Sequence, residues 1–302
     1  MTRTLLCSDC SRQVGEQLFG TAPRADLWIL LEYTGAWGNK ALPESALPQP
    51  IKDKIDGWLL PNGKFQFIRR ERRREGITLF IALIHETDPR LYQFQLQSYE
   101  DLLSLDIPAL ISRNPAYETA RRNEPIYVVC TNGRRDAACA KYGPPVFREL
   151  ERAAGDSAWQ GTHIGGHRFA ATFVCLPEGV CYGHVDADDV SAIVEQHRRG
   201  EINVAKTRGR SCYDAPAQAA DYYLRGITGI REITGLQLVS VTQTDDEQWR
   251  VRFRTAHDGG LHDIHLIRRL SEWVSLESTG DPEMKHFPQF HLVAHTANVE
   301  EE

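Results

Sequence analysis

The sequence predicts an α/β fold, and three observations carry that expectation. Apolar runs of strand length recur from residue 26 onward, bounded by glycine, proline and charge. Near the middle of the chain a buried strand, a helix, two strands and a second helix follow in quick succession. The bulk composition, 41% hydrophobic and 25% charged over 302 residues, is that of a globular chain long enough to build its core without disulfide staples. Length suggests about two domains. The expected division is an N-terminal α/β region at 1–118, a central domain at 119–205 and a small C-terminal α+β appendage at 206–302.

Residues 26–33 (DLWILLEY) have the length of a buried strand, and proline and glycine punctuate 34–50. Strands are expected at 65–70, 78–84 and 91–97, then a short helix or turn at 99–105. Ile126–Cys130 (IYVVC) reads as a strand and 131–141 as a polar loop. Residues 144–154 read as a helix with proline in its first turn, where the missing N–H costs little. A glycine-rich approach at 160–166 precedes a strand at 169–176, a turn at 177–179 and a hairpin partner at 180–185. A helix at 188–199 opens on acidic residues and is followed by Gly200. This β, α, β, β, α succession is the core order of a thioredoxin-like fold. Residues 201–219 read as a linker, 220–225 as the start of a helix, and 236–242, 248–254 and 262–266 as a small antiparallel sheet. Residues beyond about 298 are expected to fray. No internal repeat is visible in the sequence.

The formal net charge of −6 disfavours sequence-independent nucleic-acid binding, which needs a broad excess of Lys and Arg. No apolar run approaches the roughly 20 residues of a membrane span. Residues 1–20 read as part of the mature protein and not as a leader. Seven cysteines, an odd number in a long chain, suit a reducing cytoplasm better than a secreted disulfide framework. There is no phosphate-binding loop, dinucleotide fingerprint or nucleophile elbow.

Cys130 ends a strand, and Cys139 follows after eight intervening residues; His163 and His167 bracket Ile-Gly-Gly. Thiolate and imidazole are the donors expected for zinc or for an iron–sulfur centre. Structural zinc sites favour tighter knuckles, and the long cysteine loop suits a larger object. Gly165 and Gly166 argue against a helical His pair and allow backbone N–H groups to approach a cluster. A pair of core cysteines beside a chance H-x3-H remains the plain alternative.

The segments CTNGRRDAACAKYG (130–143), HIGGH (163–167) and RFAATFVCLPEGVCYGHV (168–185), with LFGTAPRADLWILLEYTGAWG (18–38), resemble the sucrase/ferredoxin-like family, whose thioredoxin-like ferredoxins include members with two Cys and two His ligands. The resemblance covers about residues 5–200. It implies a [2Fe–2S] cluster held by Cys130, Cys139, His163 and His167, and one-electron transfer without an enzymatic substrate reaction. Neutral imidazoles in place of two thiolates would raise the potential, as in Rieske centres, and would make it pH-dependent. An external reductase and an electron acceptor are implied partners. A redox or iron sensor using the same cluster and a zinc-binding structural module are the alternatives.

Other features carry less. Cys7-x2-Cys10 resembles a redox dithiol but precedes the first clear strand, so a thiol oxidoreductase is disfavoured. Cys175 and Cys181 read as packed hairpin residues, Cys212 as incidental, and His184 as a neighbour of the centre. Arg134 and Arg135 would offset cluster charge, dock an acidic donor, or simply be solvated. The basic run 69–74 and His257, His262 and His265 read as solvated surface and hairpin. Asp186, Asp188 and Asp189 belong to a helix start and not to a glycosidase carboxylate pair.

Overall fold

The computed structural model describes residues 5–59, 61–71 and 75–298. Residues 72–74 of the basic run and those beyond 298 lie outside the described residues. The chain forms a mixed α/β structure on two sheets. Strands of the large sheet are β1 (Leu27–Glu32), β2 (Gly63–Arg69), β3 (Ile77–Leu83), β4 (Arg90–Leu96), β5 (Arg121–Arg122), β6 (Ile126–Cys130), β7 (Ala158–Gly161), β8 (Phe173–Leu176), β9 (Val180–Tyr182) and β10 (Thr207–Arg210). Their spatial order is β10-β9-β8-β6-β7-β2-β1-β3-β4-β5. The sheet runs across both expected domain boundaries, since strands from 1–118 and 119–205 are neighbours in it and β10 lies beyond 205.

That order contains a repeat that the sequence does not display. In the first half β1 pairs parallel with β2 and antiparallel with β3, and β3 pairs antiparallel with β4. In the second half β6 pairs parallel with β7 and antiparallel with β8, and β8 pairs antiparallel with β9. Each half connects its parallel pair by a crossover helix, α2 (Gln49–Trp58) and α4 (Ala137–Ala154), as parallel neighbours require. The halves meet edge to edge where β2 pairs antiparallel with β7, Ile68 opposite Gly161 and Arg69 opposite Gln160. Cys130, Cys139, His163 and His167 all lie in the second half.

Packing follows the alternation of the strands. Along β1, Leu27, Ile29 and Leu31 face one core, with α2 residues Ile51, Ile55 and Trp58. Trp28 and Leu30 face another, with Val128, Cys130, Cys139, Trp159 and Val174 of the second half. One core therefore spans both halves, and the two cysteines belong to it. On the opposite face of β6, Tyr127 and Val129 pack with Val146, Phe147 and Leu150 of α4 and with Ile193 and Val194 of α5 (Val190–Arg198).

Three local expectations need correction. First, α4 begins at Ala137, so Cys139 lies in its first turn and not in a polar loop. The Asp136 side chain accepts from Ala138 N–H (2.8 Å) and caps the helix. Pro144 and Pro145 fall inside the helix, where each removes an intrahelical hydrogen bond; burial of Val146, Phe147 and Leu150 offsets that cost. Second, β7 occupies part of the stretch read as a glycine-rich approach. Tryptophan and glutamine flanked by small residues give no period-2 signal, and only the parallel pairing with β6 makes them a strand. Third, helices α1 (Cys7–Gln13) and α2 form where no element was expected, α2 overlapping the proline- and glycine-punctuated stretch only at residues 49 and 50.

The remaining residues build a second unit. Helix α3 (Ile107–Ile111) closes the first half, and α6 (Ala215–Thr228) packs on a four-stranded meander of β11 (Leu236–Asp245), β12 (Gln248–Thr255), β13 (Leu261–Leu270) and β14 (Pro288–Asn298). Their common core includes Leu224, Leu236, Val251, Phe253, Ile264 and Phe290. The fourth strand, β14, adds to the three the sequence suggests. No described helix is long and apolar enough to cross a membrane.

Candidate metal centre

The centre forms where β6 ends, α4 begins and the loop after β7 returns. Cys130, Cys139 and His163 offer donor atoms that all lie within 4.8 Å of one another. His167 belongs to an adjoining group with Cys7 and Asp136, also within 4.8 Å. The two imidazoles connect the groups, with ring centroids 5.1 Å apart. The four residues singled out in the sequence therefore meet at one place, as a triad plus a neighbour and not as one equidistant set.

The first half of the chain positions the second. Gln66 on β2 donates from Nε2 to the His163 carbonyl (2.9 Å), and Thr162 N–H donates to the Phe67 carbonyl (2.9 Å). Asn132, two residues after Cys130, donates from Nδ2 to the Gly38 carbonyl (3.0 Å). Beneath the His loop, Arg208 is fully buried and donates to the Gly165 carbonyl (2.8 Å), to Thr21 Oγ1 (3.0 Å) and to the Thr21 carbonyl. Gly166 has φ +70°, and a Cβ there would lie 2.5 Å from Arg208 Nη2. Glycine is required on both counts.

Cys130 and Cys139 are buried and share a hydrogen bond. That bond, with neighbouring His163, holds Cys130 well below the usual thiol range despite burial; the same bond and burial push Cys139 well above it. Of the two, Cys130 is thus the readier to ionise, and a thiolate is the ligating form. Burial lowers the His167 pKa, with Asp136 and the Glu277 carbonyl acting the other way. His167 Nε2 lies 2.9 Å from Ser278 Oγ and 3.8 Å from Asp136 Oδ2.

The donor atoms suit a bound metal. His163 Nδ1 and His167 Nδ1 are buried and have no hydrogen-bond partner among the described residues, whereas buried polar atoms are almost always paired. Two unsatisfied imidazole nitrogens, one on a histidine grouped with the cysteine pair and one on its neighbour, are what a Cys2His2 centre would use. Asp136 differs, since its carboxylate accepts from Ala138 N–H, Thr279 N–H and Thr279 Oγ1, each at 2.8 Å.

Sequence reasoning missed Asp136, Ser278 and Thr279. An aspartate before two alanines is a cap signal that could have revealed Asp136; nothing marked Ser278 or Thr279, more than a hundred residues away. Cys7 and Cys10 open α1 as free thiols, and burial pushes the Cys7 thiol up to about 12, which leaves it unreactive. Cys175 and Cys181 are buried in the core. His184 Nε2 donates to the Arg168 carbonyl (3.2 Å) outside both donor groups, and His262 pairs with His295 (3.0 Å) in the small sheet. Arg134 and Arg135 are exposed on the cysteine loop, Arg135 reaching Asn39 Oδ1 (2.8 Å).

Residues 18–209 match the family model described as sucrase/ferredoxin-like. The chain is also 27% identical over 167 residues to a protein of Meyerozyma guilliermondii named altered inheritance of mitochondria protein 32, an alignment covering 49% of this chain and 57% of that relative. No solved structure matches.

Proposed function

The chain belongs to the sucrase/ferredoxin-like family, and we propose that it carries one [2Fe–2S] cluster on Cys130, Cys139, His163 and His167 and transfers single electrons. The observation that carries this reading is the grouping of His163 with Cys130 and Cys139, His167 adjoining it, and a buried, unpartnered Nδ1 on each imidazole. When bound, such a cluster supplies one-electron chemistry at a potential raised by neutral imidazole ligands. The chain's own residues bury the donors, ease ionisation of Cys130 and fix both loops through Gln66, Asn132 and Arg208. The strand order β9-β8-β6-β7, with β8 antiparallel to the other three, supports a thioredoxin-like ferredoxin domain. The absence of a nucleotide fingerprint from the sequence supports an external reductase, with a separate electron acceptor. A reducing compartment, the cytoplasm, completes the proposal; fractionation that separates cytosol from mitochondria tests it.

One observation favours a second reading. The triad of Cys130, Cys139 and His163, its donor atoms within 4.8 Å of one another, approaches the spacing around a single tetrahedral ion, whose donors lie roughly 2.0–2.3 Å from the metal. A zinc module would use three of the four residues and leave His167 aside. Anaerobic purification of wild type and His167→Cys, with absorption spectra and iron, sulfide and zinc assays, separates the two. Visible charge-transfer bands with about two iron and two sulfide per chain, shifted in the variant, support the cluster. A colourless protein with one zinc, unaffected by His167→Cys, discards it.

A further inference from the structure

Two segments outside the family-matched residues close on His167. From the N-terminus, α1 packs against the loop after His167, where Ser8 Oγ donates to the Ala170 carbonyl (2.6 Å). From the C-terminal unit, the connection between β13 and β14 extrudes a strap. Its neck is a two-bond bridge between Ser275 and Lys285 (3.0 and 2.8 Å). Leu276 buries among Leu6, Cys7, Cys10, Ala138 and Ala170, and Ser278 N–H donates to Asp281 Oδ2 (2.8 Å), which fixes the turn.

We propose that Ser278 and Thr279 on this strap are positioning residues for the centre: Ser278 accepts the His167 Nε2–H and so leaves Nδ1 as the donor atom, while Thr279 fixes Asp136 and with it the helix turn that carries Cys139. The inference rests on the reading of His167 as a ligand. His167 is 8% exposed, so water competes little for its nitrogens, and the Glu277 carbonyl is the other acceptor acting on the ring. The Asp136 carboxylate at 3.8 Å favours a proton on the facing Nε2, and Ser278 Oγ at 2.9 Å accepts it. Metal-binding imidazoles commonly donate their other N–H to such a partner, which fixes tautomer and ring orientation. Thr279 donates its N–H to Asp136 Oδ2 and its hydroxyl to Oδ1, and its Oγ1 accepts from Cys7 N–H (3.2 Å). With both oxygens occupied, Asp136 acts with Cys7 as a clamp and not as a second metal site.

The test uses full-length wild type, Ser278→Ala and Ser278→Thr. Long-range 15N–1H spectra of the metal-free protein at about pH 8, where imidazole is neutral, report the tautomer; His167→Gln assigns the signal. Wild type and Ser278→Thr should show the Nε2–H form, and Ser278→Ala a mixture. An unchanged tautomer in Ser278→Ala overturns the proposal. After anaerobic reconstitution, Ser278→Ala should hold iron about 10–100-fold less tightly in a chelator challenge, with Ser278→Thr near wild type; equal retention overturns the proposal as well. If wild type takes up no iron, the ligand reading fails, and the tautomer measurement alone still decides the strap.

Discussion

Gly143→Ala should destabilise the protein although it improves a helix. Gly143 lies within α4, one turn after Cys139, where alanine gains about 1 kcal/mol in helix propensity. A Cβ at this position would fall well inside van der Waals contact with the Cys130 carbonyl oxygen and 3.1 Å from Thr131 Cγ2. The obstacle is the backbone of β6 at the site itself, so the helix and not a side-chain tip must move. Overpacking of this kind costs roughly 1–3 kcal/mol, and a backbone obstacle places it near the upper end. The net loss is about 1–2 kcal/mol. Because the helix carries Cys139 and the obstacle belongs to Cys130, the displacement separates the two donors, and iron retention should fall with stability. Gly226→Ala in α6 is the matched control. A Cβ there meets nothing within 4 Å, so the same exchange should stabilise by up to about 1 kcal/mol. Urea unfolding read as a midpoint shift at constant slope measures both. A stabilised Gly143→Ala, moving in the same direction as Gly226→Ala, would refute the close approach of α4 to Cys130.

Two further outcomes follow from buried charge. Arg225 and Asp221 form a fully buried pair in α6 (2.8 Å), with Arg225 also donating to the carbonyls of Ile230 and Glu232. Asp221→Ala strands that guanidinium and should cost about 3–5 kcal/mol, while Asp221→Ala/Arg225→Met should recover much of the loss in the same unfolding assay. Burial lowers His184 to about 4, so the native state holds it neutral while the unfolded chain binds a proton near 6.5. Its contribution is therefore complete above about pH 6.5 and is lost as pH falls toward 4, by roughly 3 kcal/mol in all. His184→Asn tolerates the positive φ of this position and should narrow the stability gap to wild type between pH 7 and 4.5; a constant gap would contradict the shift.

The candidate donors were legible in the residues themselves. Cys130 at the end of an uninterrupted apolar strand, and two histidines around Ile-Gly-Gly, are readable because strand burial and glycine freedom are local properties. The α/β class was legible for the same reason, from runs such as LWILLE and IYVVC, whose short length and β-branched or aromatic content suit strands buried on both faces. Long-range pairing was not legible. The duplicated strand order depends on which edges meet, and β7 exists as a strand through its partners. The start of α4 at Ala137 depends on an Asp136 carboxylate that also answers to Thr279, 143 residues away. The strap is the clearest case. A serine and a threonine in a polar loop carry no sequence signal, and only the docking of Leu276 on α1 brings them to His167. Sequence determined which atoms are available to hold a metal, because donor chemistry belongs to the side chain. Tertiary structure decided which of those atoms are left without another partner, because hydrogen-bond satisfaction belongs to the whole fold.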